Sequence, residues 1–160
     1  EICNNIKTIH SNIKFVEADA TNITQCVERL KATGWQNDRS TLLICEGISY
    51  YVSKSAVRNI WKTFSNTPDS RCIFEYLIPS DMMSIESQHI SQYIFGKIMD
   101  YCNINSPMTT WSREELENES GITVYNHATM HSIENERDKA ATYFPTPDAG
   151  WKEIAELGTS

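Results

Sequence analysis

The sequence predicts an α/β fold, with a mostly parallel sheet and an antiparallel C-terminal strand. Two observations carry that expectation. Three short apolar runs, at 12–19, 41–47 and 71–79, are separated by stretches whose apolar residues recur at helical spacing. Strand, helix, strand, helix, strand is the order of a parallel sheet with crossover helices. A later run, ITVYNHATMHSI (122–133), alternates as a further strand does.

Each element has a local reason. Residues 1–10 carry Ile2, Ile6 and Ile9 at helical spacing but begin without a cap, so they read as a helix cut in its middle and the chain as a fragment truncated at its N-terminus. NIKFVEADAT (12–21) is a β-branched and aromatic strand ending on Asp19. Asn22 or Thr24 caps a helix whose Ile23, Val27 and Leu30 share a face, and Gly34 ends it. NDRS (37–40) turns the chain into TLLICEG (41–47), apolar on both faces as a covered parallel strand is. Ser53 caps a helix with an Ala56, Val57, Ile60, Trp61, Phe64 stripe, opposite Lys54, Arg58 and Lys62. Pro68 and Asp69 lead into RCIFEYLIP (71–79), which Pro79 closes. A long helical pattern runs from Asp81 to Cys102 and gives way to the loop NINSP. SREELENESG (112–121) is a short helix with a Ser112/Glu115 capping box and Gly121 at its end. PTPDAGW is loop-like, and WKEIAELGTS fits more than one structure.

Composition narrows the function classes. The chain has 160 residues, 40% hydrophobic and 22% charged, which suits one globular domain. A net charge of −7, with 14 scattered Lys and Arg, argues against nucleic acid or an anionic membrane as partner, because phosphate backbones need clustered cations. No apolar stretch approaches the roughly 20 residues that span a bilayer. Cys3, Cys26, Cys45, Cys72 and Cys102 lack zinc spacing and read as buried free thiols in a reducing cytoplasm. His89, His127 and His131 make no metal-ligand spacing with the acids, so no metal is expected.

In open α/β sheets, ligands bind where the strands end at their carboxyl edge. The candidate ends are Asp19–Ala20, Glu46–Gly47 and Glu75 to Pro79. A carboxylate there accepts from an amine or a ribose hydroxyl, or else caps the helix that follows, as Asp19 can. Gly47-Ile48-Ser49 begins like a nucleophile elbow, but Tyr51 stands where the elbow needs its second glycine, so Ser49 is not read as a nucleophile.

FVEADAT, a helix ending in GW, TLLICEGISYYVSKSAVRNIW and SRCIFEYLIPSD, in that order and spacing, resemble the later portion of the leucine carboxyl methyltransferase-like family. The match is good over roughly 12–81 and loose over 108–130. The resemblance implies part of a Rossmann-like class I methyltransferase sheet and S-adenosylmethionine as cofactor. By position it gives Asp19 the adenine amine, with the Ala20 backbone nearby; Glu46 and Gly47 the methionine end; and Tyr51 the region of the reacting methyl. Tyr50 stands where the family usually has an apolar residue.

Two family features precede Glu1: the glycine-rich first-strand motif and the acid ending the second strand. Those first two strands lie between the family's third and fourth, so strand 12–19 has no neighbour to pair it with strand 41–46; the expectation is that a missing N-terminal segment or a partner chain fills the gap, or that the sheet is rearranged. The function expected is O-methylation of a carboxylate or hydroxyl, on a small molecule or a protein C-terminus. Tyr50, Tyr93, Tyr101 and Trp111 are the expected acceptor contacts. Alignment carries much of such a transfer, and no catalytic dyad stands out. The rival expectation is a non-catalytic α/β fragment that dimerises or binds a partner.

Overall fold

The structure, a computed structural model, describes residues 12–159. The helix expected over residues 1–10 lies outside them. Four strands form one sheet, β1 (Leu42–Cys45), β2 (Arg71–Leu77), β3 (Thr123–Thr129) and β4 (Lys152–Gly158), in the order β1-β2-β4-β3. β1 and β2 are parallel, and β4 runs antiparallel to both β2 and β3. β1, β2 and β3 therefore point one way and β4 the other: the antiparallel C-terminal strand that the sequence predicts is present, but it comes from the tail WKEIAELGTS, while 123–129 runs the same way as β1 and β2.

Five α-helices and a 3-10 turn at Ser80–Met82 complete the described fold: α1 (Ile23–Ala32), α2 (Lys54–Phe64), α3 (Ile85–Cys102), α4 (Arg113–Glu117) and α5 (Met130–Asp138). Their ends follow from their caps. The Asn22 and Ser53 side chains accept the Gln25 and Ala56 amides, and Gly34 leaves α1 at φ +99°. Ser112 and Glu115 exchange both bonds of the expected capping box. Asn103 ends α3 in the left-handed region at φ +53°. None of the described helices is long and apolar enough to cross a membrane.

Pairing register sorts the sheet into two unlike faces. Cys72, Phe74 and Tyr76 stand opposite Leu157, Ala155 and Glu153, and all six are buried. Phe74 meets Trp61 of α2 at 4.9 Å and Trp111 at 5.9 Å between ring centroids, and Trp61 and Trp111 are 5.1 Å apart, so the rings form the centre of the core. On the other face, Leu42 and Ile44 of the edge strand β1 are 63% and 62% exposed, and Ile73 and Ile154 are half-buried.

Three expectations need correcting. Residues 12–19 form no strand: they run irregular and largely exposed, and among the described residues no strand lies beside them to offer a ladder. The run 122–133 is a strand only to Thr129, whose hydroxyl accepts the Ser132 amide and starts α5. Cys45 and Cys72 are buried free thiols as expected, but Cys102 is exposed at the end of α3 and Cys26 half-buried; Cys3 lies outside the described residues. WKEIAELGTS supplies β4.

Candidate functional site

The carboxyl edge of β1 is built around a glycine in a conformation that other residues resist. Gly47 has φ +70°, and the nearest atom to a Cβ built there is the Tyr50 hydroxyl at 3.9 Å, so backbone strain rather than crowding selects glycine. Glu46 beside it is exposed. The chain then turns, with the Tyr51 amide donating to Ile48 O at 3.0 Å. Tyr50 is buried, its ring packed edge-on against Phe95 of α3 at 5.4 Å and Tyr51 at 4.7 Å, whereas Tyr51 itself faces outward. The loop after α3 fastens this turn: Thr109 donates its amide to Tyr50 O at 3.0 Å and its hydroxyl to Val52 O at 2.7 Å.

Glu75 of β2 and Lys152 of β4 complete the edge. Lys152 Nζ donates to Glu75 Oε1 at 2.8 Å and to the Tyr50 hydroxyl at 3.0 Å. The same Oε1 accepts the Gly47 amide at 3.3 Å and the Tyr50 hydroxyl at 3.4 Å. Burial works against the charge on Lys152, but the bonds to Glu75 and Tyr50 outweigh it and hold its pKa above the ordinary lysine value. Sequence reading marked Glu75 only as a strand end and passed over Lys152. Their separation of 77 residues hides the pairing; the one available signal is a lysine opening an alternating run.

Asp19 lies at the other end of the candidate site. Its Oδ1 accepts the Thr21 hydroxyl at 2.7 Å and the Thr21 amide at 2.9 Å, which hold the carboxyl below its usual range. Asn22, not Asp19, caps α1, so the capping alternative for Asp19 does not hold. Between the two turns lies an apolar cavity of about 240 Å³. Ala18, Ala20 and Ile23 line one side, Cys45 and Ile48 the other, and Phe64 is among the residues that complete it. It therefore brings the neighbours of Asp19 and of Glu46–Gly47 to one space. An apolar pocket whose lining residues are chain neighbours of two acids suits an apolar ring carrying polar substituents.

The expected acceptor residues scatter. Tyr50 is at the edge just described. Tyr93 and Tyr101 are on α3, 69% and 89% exposed. Trp111 is fully buried in the ring cluster, with the Lys54 ammonium 4.8 Å above its ring. Its burial follows from its backbone, which donates to Leu77 O at 2.9 Å and so continues the sheet edge.

Comparison with known proteins bears on the fold and on the N-terminal part. No curated protein matches the chain. Among solved structures, a DUF574 family protein from Streptomyces avermitilis MA-4680 is similar, with a TM-score of 0.63 over 91% of this chain and 54% of that one, at 15% identity. That likeness is one of fold, and this chain spans about half the length of that protein. Residues 2–65 match the family model described as leucine carboxyl methyltransferase, so the stretch that holds Asp19, Ala20, Glu46, Gly47 and Tyr51 carries the pattern of the family that its motifs resemble.

Proposed function

We propose that this chain supplies part of an S-adenosylmethionine-dependent methyltransferase that methylates oxygen on a carboxylate or hydroxyl, either of a small molecule or of a protein C-terminus. The observation that carries the reading is the apolar cavity flanked by the Asp19–Ala20 turn and the exit of β1. The residues present suit the cofactor: an apolar slot for adenine, the Asp19 carboxylate for its exocyclic amine, and the exposed Glu46 carboxylate for the ammonium of the methionine end. The glycine at 47 leaves its backbone open to close approach. When bound, the cofactor supplies an electrophilic sulfonium methyl. The chain's part is to bind and orient, with Tyr51 bordering the reacting region and Tyr50, Tyr93 and Tyr101 on the acceptor side; Trp111 acts there through packing.

The edge strand supports a site completed from elsewhere. Leu42 and Ile44 lie on an apolar edge that no strand among the described residues pairs, of the kind that another segment or a second copy covers. A preceding segment of the longer protein is the occupant proposed, with a homodimer as the alternative. The same edge is the observation that favours the second reading, a non-catalytic fragment that associates. Buried free thiols at Cys45 and Cys72 suit a reducing compartment, and the cytoplasm is the one proposed.

The test is transfer of a labelled methyl group from the cofactor to carboxylate and hydroxyl acceptors by the full-length protein. Label that mild base releases marks a methyl ester, and base-stable label marks an ether. Transfer to neither, by a protein that binds no cofactor and associates through β1, supports the second reading instead.

A further inference from the structure

We propose that Glu75, its charge balanced by Lys152, is the positioning residue of the Glu46–Gly47 turn and acts on the methionine end of the cofactor through that turn without touching it. This rests on the cofactor reading above. Pairing of β1 with β2 stops at Cys45 opposite Phe74, so no strand ladder holds residues 46–50. Glu75 takes over from the ladder. Its side chain accepts the Gly47 amide at 3.3 Å and the Tyr50 hydroxyl at 3.4 Å, and its backbone carbonyl accepts the Ser49 hydroxyl at 2.6 Å. Three residues of the turn are thus bonded to one residue of the neighbouring strand.

The ion pair is placed for this work and not for general stability. It lies at the carboxyl edge, with side chains 17% exposed for Glu75 and 26% for Lys152. Such a half-desolvated carboxylate needs a compensating cation, and Lys152 comes from the antiparallel strand to provide it. Lys152 also fixes the Tyr50 ring, with Nζ 4.9 Å from its centroid and bonded to its hydroxyl. Tyr50 in turn packs on Phe95, so the turn is braced from β2, β4 and α3 together. The presence of a tyrosine where the family usually has an apolar residue has its reason here: its hydroxyl joins the Glu75–Lys152 pair.

The test compares full-length wild type with Glu75→Gln and Lys152→Met, and with Glu86→Gln on the first turn of α3 as control. Each is titrated with S-adenosylhomocysteine and with adenosine, which lacks the methionine part. The amide resonance of Gly47 is followed in parallel. The proposal predicts that Glu75→Gln and Lys152→Met weaken S-adenosylhomocysteine by about tenfold, the scale of one charge-assisted hydrogen bond. Adenosine binding stays within about twofold, the control matches wild type, and the Gly47 resonance moves. A folded Glu75→Gln variant that binds both ligands as wild type does overturns the proposal while leaving the cofactor reading intact. Equal weakening of both ligands also overturns it, because the pair would then serve the fold alone. If wild type binds neither, both readings fall. Should Glu75→Gln not fold, Lys152→Met, which keeps Glu75, decides by the same outcomes.

Discussion

The Tyr76 hydroxyl donates to Glu153 Oε2 at 2.7 Å, across directly opposed positions of β2 and β4, and His127 Nε2 closes the triangle at 2.9 Å from both. Burial alone would raise the Glu153 carboxyl, but the bonds from His127 and Tyr76 outweigh it and hold the group below its ordinary 4.5. A carboxyl depressed in the folded state stabilises the fold above its unfolded value, and that contribution disappears as pH falls through the folded value. Glu153→Gln should therefore cost about 1–3 kcal/mol at neutral pH. Between about pH 4.5 and the acid transition, the variant should lose less stability than wild type does. Urea unfolding at a series of pH values reads both effects.

Gly47→Ala places a side chain at φ +70°, where L-residues cost about 1–2 kcal/mol. The expected result is a small loss of stability with a larger loss of S-adenosylhomocysteine affinity, because the strain falls on the turn that borders the proposed site. Thermal unfolding and calorimetric titration of one preparation separate the two effects.

Trp111 sits among Trp61 and Phe74 with none of its surface exposed. Trp111→Ala should cost about 3–5 kcal/mol through the cavity it leaves. Trp111→Phe should cost clearly less and leave the acceptor KM unchanged if the indole acts by packing. Chemical unfolding and steady-state kinetics check the pair.

Ile44 on the edge strand gives a sharp contrast. Here it is 62% exposed, so Ile44→Lys should be close to neutral if solvent covers that edge in the natural protein. If a further segment covers it, as proposed, the buried ammonium should cost on the order of 2 kcal/mol or more. Unfolding of the full-length variant distinguishes these, with destabilisation the expected result.

Local chemistry made much of the fold legible. Asn22, Ser53 and Ser112 cap the helices they were expected to cap, and the two central apolar runs became β1 and β2. Segment 12–19 misled because β-branched and aromatic residues signal a strand only where a neighbouring ladder exists. β4 was hard to read because Lys152, Glu153 and Glu156 interrupt its apolar residues, and inward-facing Glu153 becomes intelligible only with Tyr76 and His127 beside it. On α3 Ile85, Ile90, Tyr93 and Tyr101 are exposed while Ser87 and Ser91 are buried beside Phe95, a partial inversion that periodicity by itself does not reveal. The turn at Glu46 was readable from the end of a strand, whereas Asp19 was marked by a strand that the structure does not form; the brace behind Gly47 was not readable, since a bond between Glu75 and Lys152 is a property of sheet order.

The central claim is that the Asp19 and Glu46 turns are two parts of one cofactor site. Calorimetric titration of S-adenosylhomocysteine into the full-length protein, and into its Asp19→Ala and Glu46→Ala variants, tests it most directly. The account predicts binding by the wild type and at least a tenfold loss in each variant, on the scale of a lost charge-assisted hydrogen bond, with melting temperatures little changed because both carboxylates are exposed. Undiminished binding in both variants, or none by the wild type, would contradict it.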